Sequence, residues 1–234
     1  MTRFELLVVV GVLALLTTVV LPGVANTNYR YGRLACLNNL RQIGVAFHAW
    51  GNDHGDFLPL RTSWKYGGLG KAPPGELAPY RAVYAWYNFA FLSNQLVSPR
   101  ILTCPSDAVN VPYQVSTWSA LWVYQSWSVS YGISPEATPS KPQAIVSTDR
   151  NIQASGLGNC SAGLTGIWSA NFSPQNGVDP KVMWTNALHY PMGNVLLNDG
   201  RVVETTTAGL RSYLGSPENS TDANGTFHLV IPYY

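Results

Sequence analysis

Residues Phe4 to Val24 form a nearly unbroken run of Val, Leu, Ala and Gly, and nothing later in the chain resembles it. Only Glu5 and the pair Thr17 and Thr18 interrupt it. At 1.5 Å per residue, about 21 residues span about 31 Å, the thickness of one hydrocarbon core. This predicts one N-terminal membrane-spanning helix followed by a polar remainder. A secretory signal peptide fits less well. Only Arg3 precedes the run, and the exit Leu21-Pro22-Gly23-Val24-Ala25-Asn26 is a poor cleavage site. A plain anchor explains the length but not the acid. An ionised carboxylate in mid-membrane costs about 2.5–3.5 kcal/mol on insertion scales, so Glu5 is a functional candidate, the alternative being a place at headgroup level.

The helical pattern continues past the apolar run. Tyr29, Arg33, Cys36, Leu40, Ile43, Phe47 and Trp50 follow steps of four and three, which places them on one helical face. Asn38, Arg41 and Gln42 fall off that face. Gly51 and the turn Asn52-Asp53-His54-Gly55 predict the stop. The expectation is one helix of about 50 residues, about 75 Å long. Pro22 and Gly23 predict a kink.

Composition narrows the function classes. The chain has 234 residues, 46% hydrophobic and only 11% charged, where soluble domains carry about 25% charge. A net charge of +2 argues against field-driven binding to nucleic acid. Eight Trp, 13 Tyr and 7 Phe argue against disorder.

The N-terminal stretch Met1-Thr2-Arg3-Phe4-Glu5-Leu6-Leu7-Val8-Val9-Val10, with Pro22 and the two-part helix, resembles type IV pilins and type II secretion pseudopilins. More of the chain resembles one branch of that family. The matching segments are Cys36-Leu37-Asn38-Asn39-Leu40-Arg41-Gln42-Ile43-Gly44, Asp53-His54-Gly55-Asp56-Phe57-Leu58-Pro59 and Leu102-Thr103-Cys104-Pro105-Ser106-Asp107. Near the end, His189 is followed by nine residues and then Asp199-Gly200. The resemblance implies a leader removed by a prepilin peptidase, N-methylation of Met1, and assembly through Met1, Glu5 and Pro22. It implies no cofactor.

In a filament core of bundled apolar helices, the Glu5 carboxylate is expected to pair with the Met1 ammonium, within or between subunits. Two unit charges 4 Å apart gain about 4 kcal/mol at an effective dielectric of 20. A misregistered subunit leaves one charge unpaired. Cys36 and Cys104 are expected disulfide partners in an exported chain, closing a loop of 68 residues for about 4 kcal/mol in the chain-entropy model. Two small buried thiols are the alternative. Three cysteines allow three pairs, and Cys160 is the odd one.

Val195 to Glu204 reads as a β-hairpin turning at Asp199-Gly200. The competing reading pairs His189 with Asp199 for acid–base or metal work. No second His or Cys lies at ligand spacing, so no metal site is expected. Asp53, Asp56, Asp107 and Asp149 are scattered and make no calcium loop. The triplet Asp149-Arg150-Asn151 also resembles the branch, without a role derivable from sequence.

The aromatic residues Trp64, Tyr66, Tyr80, Tyr84, Trp86, Tyr87 and Phe89, and the stretch Val115 to Tyr131, read first as core and subunit packing. Stacking on sugars is the other reading. Four sequons make Asn159, Asn171, Asn219 and Asn224 candidate glycosylation acceptors. Thr205 to Thr207 and Ser216 to Thr226 offer hydroxyls for O-linked sugar. No nucleophile elbow, phosphate loop or paired-carboxylate motif is present, so no enzyme is expected. Gly67-Gly68-Leu69-Gly70 with Lys71 lacks phosphate-loop spacing, and Lys71 to Pro79 and Ser134 to Pro142 read as surface loops.

The expected fold is α+β. A long N-terminal helix, transmembrane in residues 1–24 and amphipathic in 25–52, packs on an antiparallel β-sheet head with long loops, residues 53–234. The expected function is a major pilin that polymerises with itself into an extracellular filament from a single-span inner-membrane pool. Its implied partners are the prepilin peptidase and the pilus assembly machinery, and no nucleic acid is expected. The alternatives are a type II secretion pseudopilin and a membrane-anchored surface binding protein.

Overall fold

The computed structural model describes residues 2–69, 84–107, 111, 113–135, 137–138, 140–153, 156–158, 167–173, 177–219 and 226–232. For 19–29, 64, 157–158, 167–173 and 226 the description covers the backbone alone.

Helix α1 runs Arg3–Asp53, 51 residues. Thr2 caps it in extended conformation (φ −76°, ψ 154°). Its hydroxyl accepts from the Glu5 N–H at 3.3 Å, and the Glu5 carboxylate accepts from the Thr2 N–H at 2.7 Å, a reciprocal capping box. At the far end, the His54 and Asp56 N–H groups both donate to the Gly51 carbonyl. Gly55 and Asp56 both adopt positive φ (66° and 63°), which turns the chain away. The His54 ring lies flat on Trp50, centroids 3.9 Å apart.

The two halves of α1 differ. Cys36, Leu40, Ile43, Ala46, Phe47 and Trp50 are buried, while Arg41, Gln42 and Val45 are exposed. Over residues 3–18 the side chains stand in solvent on every side, Phe4 75%, Leu7 70% and Leu15 69% exposed.

The expected fold is corrected on two points. Among the described residues, no helix is long and apolar enough to cross a membrane. The residues of α1 ahead of position 19 include the polar Arg3, Glu5, Thr17 and Thr18. The transmembrane first half is therefore withdrawn. Secondly, the head is not one sheet behind one helix. Among the described residues it holds three small antiparallel sheets together with short helices.

The short helices are α2 (Ala85–Ala90), α3 (Trp118–Tyr124) and α4 (Thr207–Leu214). The strands are β1 (Tyr131–Ile133), β2 (Ile145–Asp149), β3 (Ile152–Gln153), β4 (Gly156–Gly158), β5 (Ile167–Ser173), β6 (Gly177–Val178), β7 (Met183–Trp184), β8 (Met192–Leu197), β9 (Val202–Thr206) and β10 (Thr226–Leu229). The central antiparallel sheet has order β1-β2-β8-β9. A second sheet has order β10-β5-β4, with β6 on β5, and β3 pairs with β7.

Strand alternation divides the interior. Leu196 and Val146 face the core that holds the buried side of α1. Their neighbours Ile145, Val195 and Leu197 face a second core with Trp184, Leu210 and Leu214. Gly44 lets α1 approach the sheet, since a Cβ there would stand 2.8 Å from Leu196 Cδ1. Strands β8 and β9 form the expected hairpin. Gly200 takes φ 84°, its N–H donates to the Leu197 carbonyl at 3.0 Å, and Asp199 accepts from the Arg201 backbone and guanidinium.

Candidate functional site

Two places concentrate the expected site residues. The first is the start of α1. Glu5 is held by the capping box, for which Thr2-Arg3-Phe4-Glu5 is the local sequence signal. The Thr17 and Thr18 hydroxyls donate to the carbonyls of Ala14 and Leu15, both at 2.8 Å. Their polarity is spent inside the helix, so an apolar cover costs little. Met1 and the Pro22 side chain lie outside the described residues.

The second place is a buried polar cluster under α1. Cys36 on α1 and Cys104 are disulfide-bonded, with Cα atoms 4.9 Å apart. Neighbouring groups hold the same junction. Asn39 donates to the Thr103 carbonyl (3.1 Å), the Cys104 N–H donates to Ser130 Oγ (3.0 Å), and the Tyr131 hydroxyl donates to the Cys36 carbonyl (3.4 Å).

His189 Nε2 lies 3.4 Å from Cys104 Sγ and 3.9 Å from Asp149 Oδ2. The same Asp149 oxygen accepts from the Asn194 backbone N–H at 2.7 Å and side-chain amide at 3.0 Å. Register explains this meeting. Thr148 pairs with Val195 across β2 and β8, so Asp149 arrives beside Asn194. The Tyr190–Pro191 peptide following His189 is cis.

Arg150 points the other way and grips Asp107 with two hydrogen bonds of 2.5 Å. Asn151 donates to the Thr185 carbonyl at 3.1 Å. The triplet Asp149-Arg150-Asn151 thus has three structural tasks, and it joins the Cys-Pro-Ser-Asp segment to the hairpin. Arg33 on α1 pairs with Glu204 on β9 and reaches Met192 Sδ at 3.5 Å.

Burial governs the electrostatics. It pushes the Asp149 carboxyl up to about 7, against the pull of its two Asn194 hydrogen bonds, with Asp107 and Glu204 adding to the rise. It pushes His189 down to about 4, helped by the Arg33 cation. Tyr131 is raised well above the ordinary phenol range by burial and by Asp149. His189 is thus neutral at neutral pH, so its contact with Asp149 is not an ion pair despite the short distance.

The expected alternative pairing of His189 with Asp199 is corrected. Asp199 is engaged with Arg201 in the turn, while His189 meets Asp149 and the disulfide. The donor atoms of Cys36, Cys104 and His189 all lie within 4.8 Å of one another. With the sulfurs bonded to each other neither is a thiolate, so the oxidised cluster offers a metal one imidazole nitrogen. What this arrangement does chemically is clamp α1 to the head.

Of the sequons, Asn159 and Asn224 lie outside the described residues, as does Cys160. Asn171 lies in β5 opposite Thr226, its side chain undescribed. Asn219 is corrected as an acceptor, since it is buried. Its Oδ1 accepts from the Ile145 N–H at 2.7 Å, and its amide donates to the carbonyls of Tyr213 and Gln143. A sugar on that nitrogen would displace these bonds and require exposure.

Comparison of the chain with family models, with curated proteins and with solved structures found no match.

Proposed function

We propose that the chain is a filament subunit of the type IV pilin kind, polymerising with copies of itself through the first half of α1. One observation carries the reading: residues 4–16 expose Phe, Leu and Val side chains on every side of a helix whose other half is anchored in the head. A contiguous apolar surface of this kind marks an interaction site. A helix apolar all round is covered only when it is surrounded, and a bundle of identical helices surrounds each member.

The clamp supports the same reading. A filament transmits load from its core helices to its heads. The disulfide, the Arg33–Glu204 pair and the Asn39–Thr103 hydrogen bond tie α1 to the head at three points. A persistent disulfide suits an exported location. The partners this reading needs, a prepilin peptidase and an assembly machinery, come from the N-terminal resemblance. The reading makes the chain structural rather than catalytic.

Electron microscopy of sheared extracellular material, with mass spectrometry of its main band, tests it. The expected result is a filament dominated by this chain, with a methylated Met1. Recovery of the chain only as a monomer overturns it.

A further inference from the structure

We infer that the face formed by α3 and the 3₁₀ turn after it is a binding platform for a neutral glycan. This goes beyond the filament reading and does not rest on it. The segment exposes large aromatic rings where a monomer ordinarily hides them. Trp122 is 45% exposed and Trp127 47%, with Val123 and Tyr124 between them also exposed. Tyr113 stacks on Tyr124 at 4.3 Å between centroids, the planes 21° apart, and both remain accessible to solvent. Trp122 is not loose, because it meets Trp86 and Tyr87 edge to face at 5.2 and 5.7 Å. Fixed aromatic rings lose little conformational entropy on binding.

The backbone supplies a second, independent observation. Gln125 adopts φ 49° and ψ −126°, one of two non-glycine residues at positive φ among the described residues. Such a conformation disfavours any residue carrying a Cβ and is concentrated at functional sites. The bend sits between Tyr124 and Trp127, and it is held by the Ser128 hydroxyl donating to the Gln125 carbonyl at 2.8 Å.

Charge selects the ligand class. No charged side chain lies between Asp107 and Glu136. The exposed neighbours of the rings are hydroxyls and amides: Gln114, Ser116, Thr117, Ser119 and Gln125. Single-stranded nucleic acid also stacks on aromatics, but it requires a basic groove. Acidic polysaccharide requires cations, and the described residues between 111 and 135 supply none. A neutral sugar presents weakly positive C–H groups to the negative face of a ring, and its hydroxyls bond to neutral amides and hydroxyls. That chemistry matches the face on both counts.

The test is titration of the full-length chain with cellohexaose, chitohexaose and isomaltohexaose, followed by tryptophan fluorescence. Heparin serves as the acidic comparator. The expected result is saturable binding of at least one neutral hexasaccharide below about 10 mM, with heparin inert. Trp127→Ala and Tyr124→Ala each weaken binding about tenfold, while circular dichroism and filament yield match the unsubstituted chain. Absence of saturation with all three neutral sugars overturns the inference, as does equal binding by the variants. Loss of filament assembly in the variants without sugar binding by the parent chain identifies the face as a subunit interface and also overturns it.

Discussion

His189 Nε2 lies 3.4 Å from the sulfur of Cys104, a residue 85 positions earlier in the chain. The contact sits at the junction of α1, the Cys-Pro-Ser-Asp segment and the central sheet. Asn39, Thr103, Cys104, Asp149 and His189 converge there. Their common task is to hold a helix to a head, and each link can be broken separately.

Removing the disulfide with Cys36→Ser and Cys104→Ser together should lower stability by about 4 kcal/mol, the loop-closure value for 68 residues. Guanidinium unfolding midpoints of the oxidised chain and the double variant measure it. A loss below about 1 kcal/mol would mean that the surrounding hydrogen bonds suffice as the clamp.

The pH dependence of stability should show two opposed contributions. Asp149 rises from 3.8 to about 7 on folding, so the folded chain holds an extra proton between those values, and stability falls as pH rises through them. His189 drops from 6.5 to about 4, so the unfolded chain holds the extra proton, and stability rises with pH across that window. Between about pH 4 and 6.5 the two largely cancel. Asp149→Asn should leave the rising limb alone and His189→Asn the falling one, each of roughly 2–4 kcal/mol. Urea unfolding at pH 4.5, 5.5 and 6.5 reads both slopes, and identical slopes in the two variants would contradict the assignment.

Asp107 is fully buried against the Arg150 guanidinium. Arg150→Ala strands a buried carboxylate and should cost roughly 3–5 kcal/mol, whereas Asp107→Asn with Arg150→Met should cost markedly less. Thermal or denaturant melts of the single and double variants decide it. Equal losses would show that shape, not charge, is what the pair supplies.

Glu5 has two separable tasks, capping its own helix and carrying charge into the proposed filament core. Glu5→Gln keeps an oxygen acceptor for the Thr2 N–H and removes the charge. If the charge sets subunit register, Glu5→Gln and Glu5→Val should both reduce sheared-filament yield severely. If Glu5→Gln assembles as well as the parent chain, the cap alone accounts for Glu5.

Local pattern carried much of this protein. The steps of four and three at Cys36, Leu40, Ile43, Phe47 and Trp50 mark a buried stripe because helical period alone decides which side chains share a face. Asp199-Gly200 marks the hairpin turn because positive φ favours glycine at position 200. Thr2 and Glu5 mark the cap, three residues apart. Tertiary structure decided what depends on distant chain. The partner of His189 is Asp149 rather than Asp199, since strand pairing brings Asp149 beside Asn194 while the turn occupies Asp199. Asn219 reads as a surface sequon, yet folding buries it under Ile145, Gln143 and Tyr213. The apolar run at the N-terminus is long enough for a membrane span when its letters are counted, yet among the described residues no helix is long and apolar enough to cross one. Periodicity and turn chemistry are written within a few residues of each other. Burial, pairing and charge state arise only when strands and helices far apart in sequence come into contact.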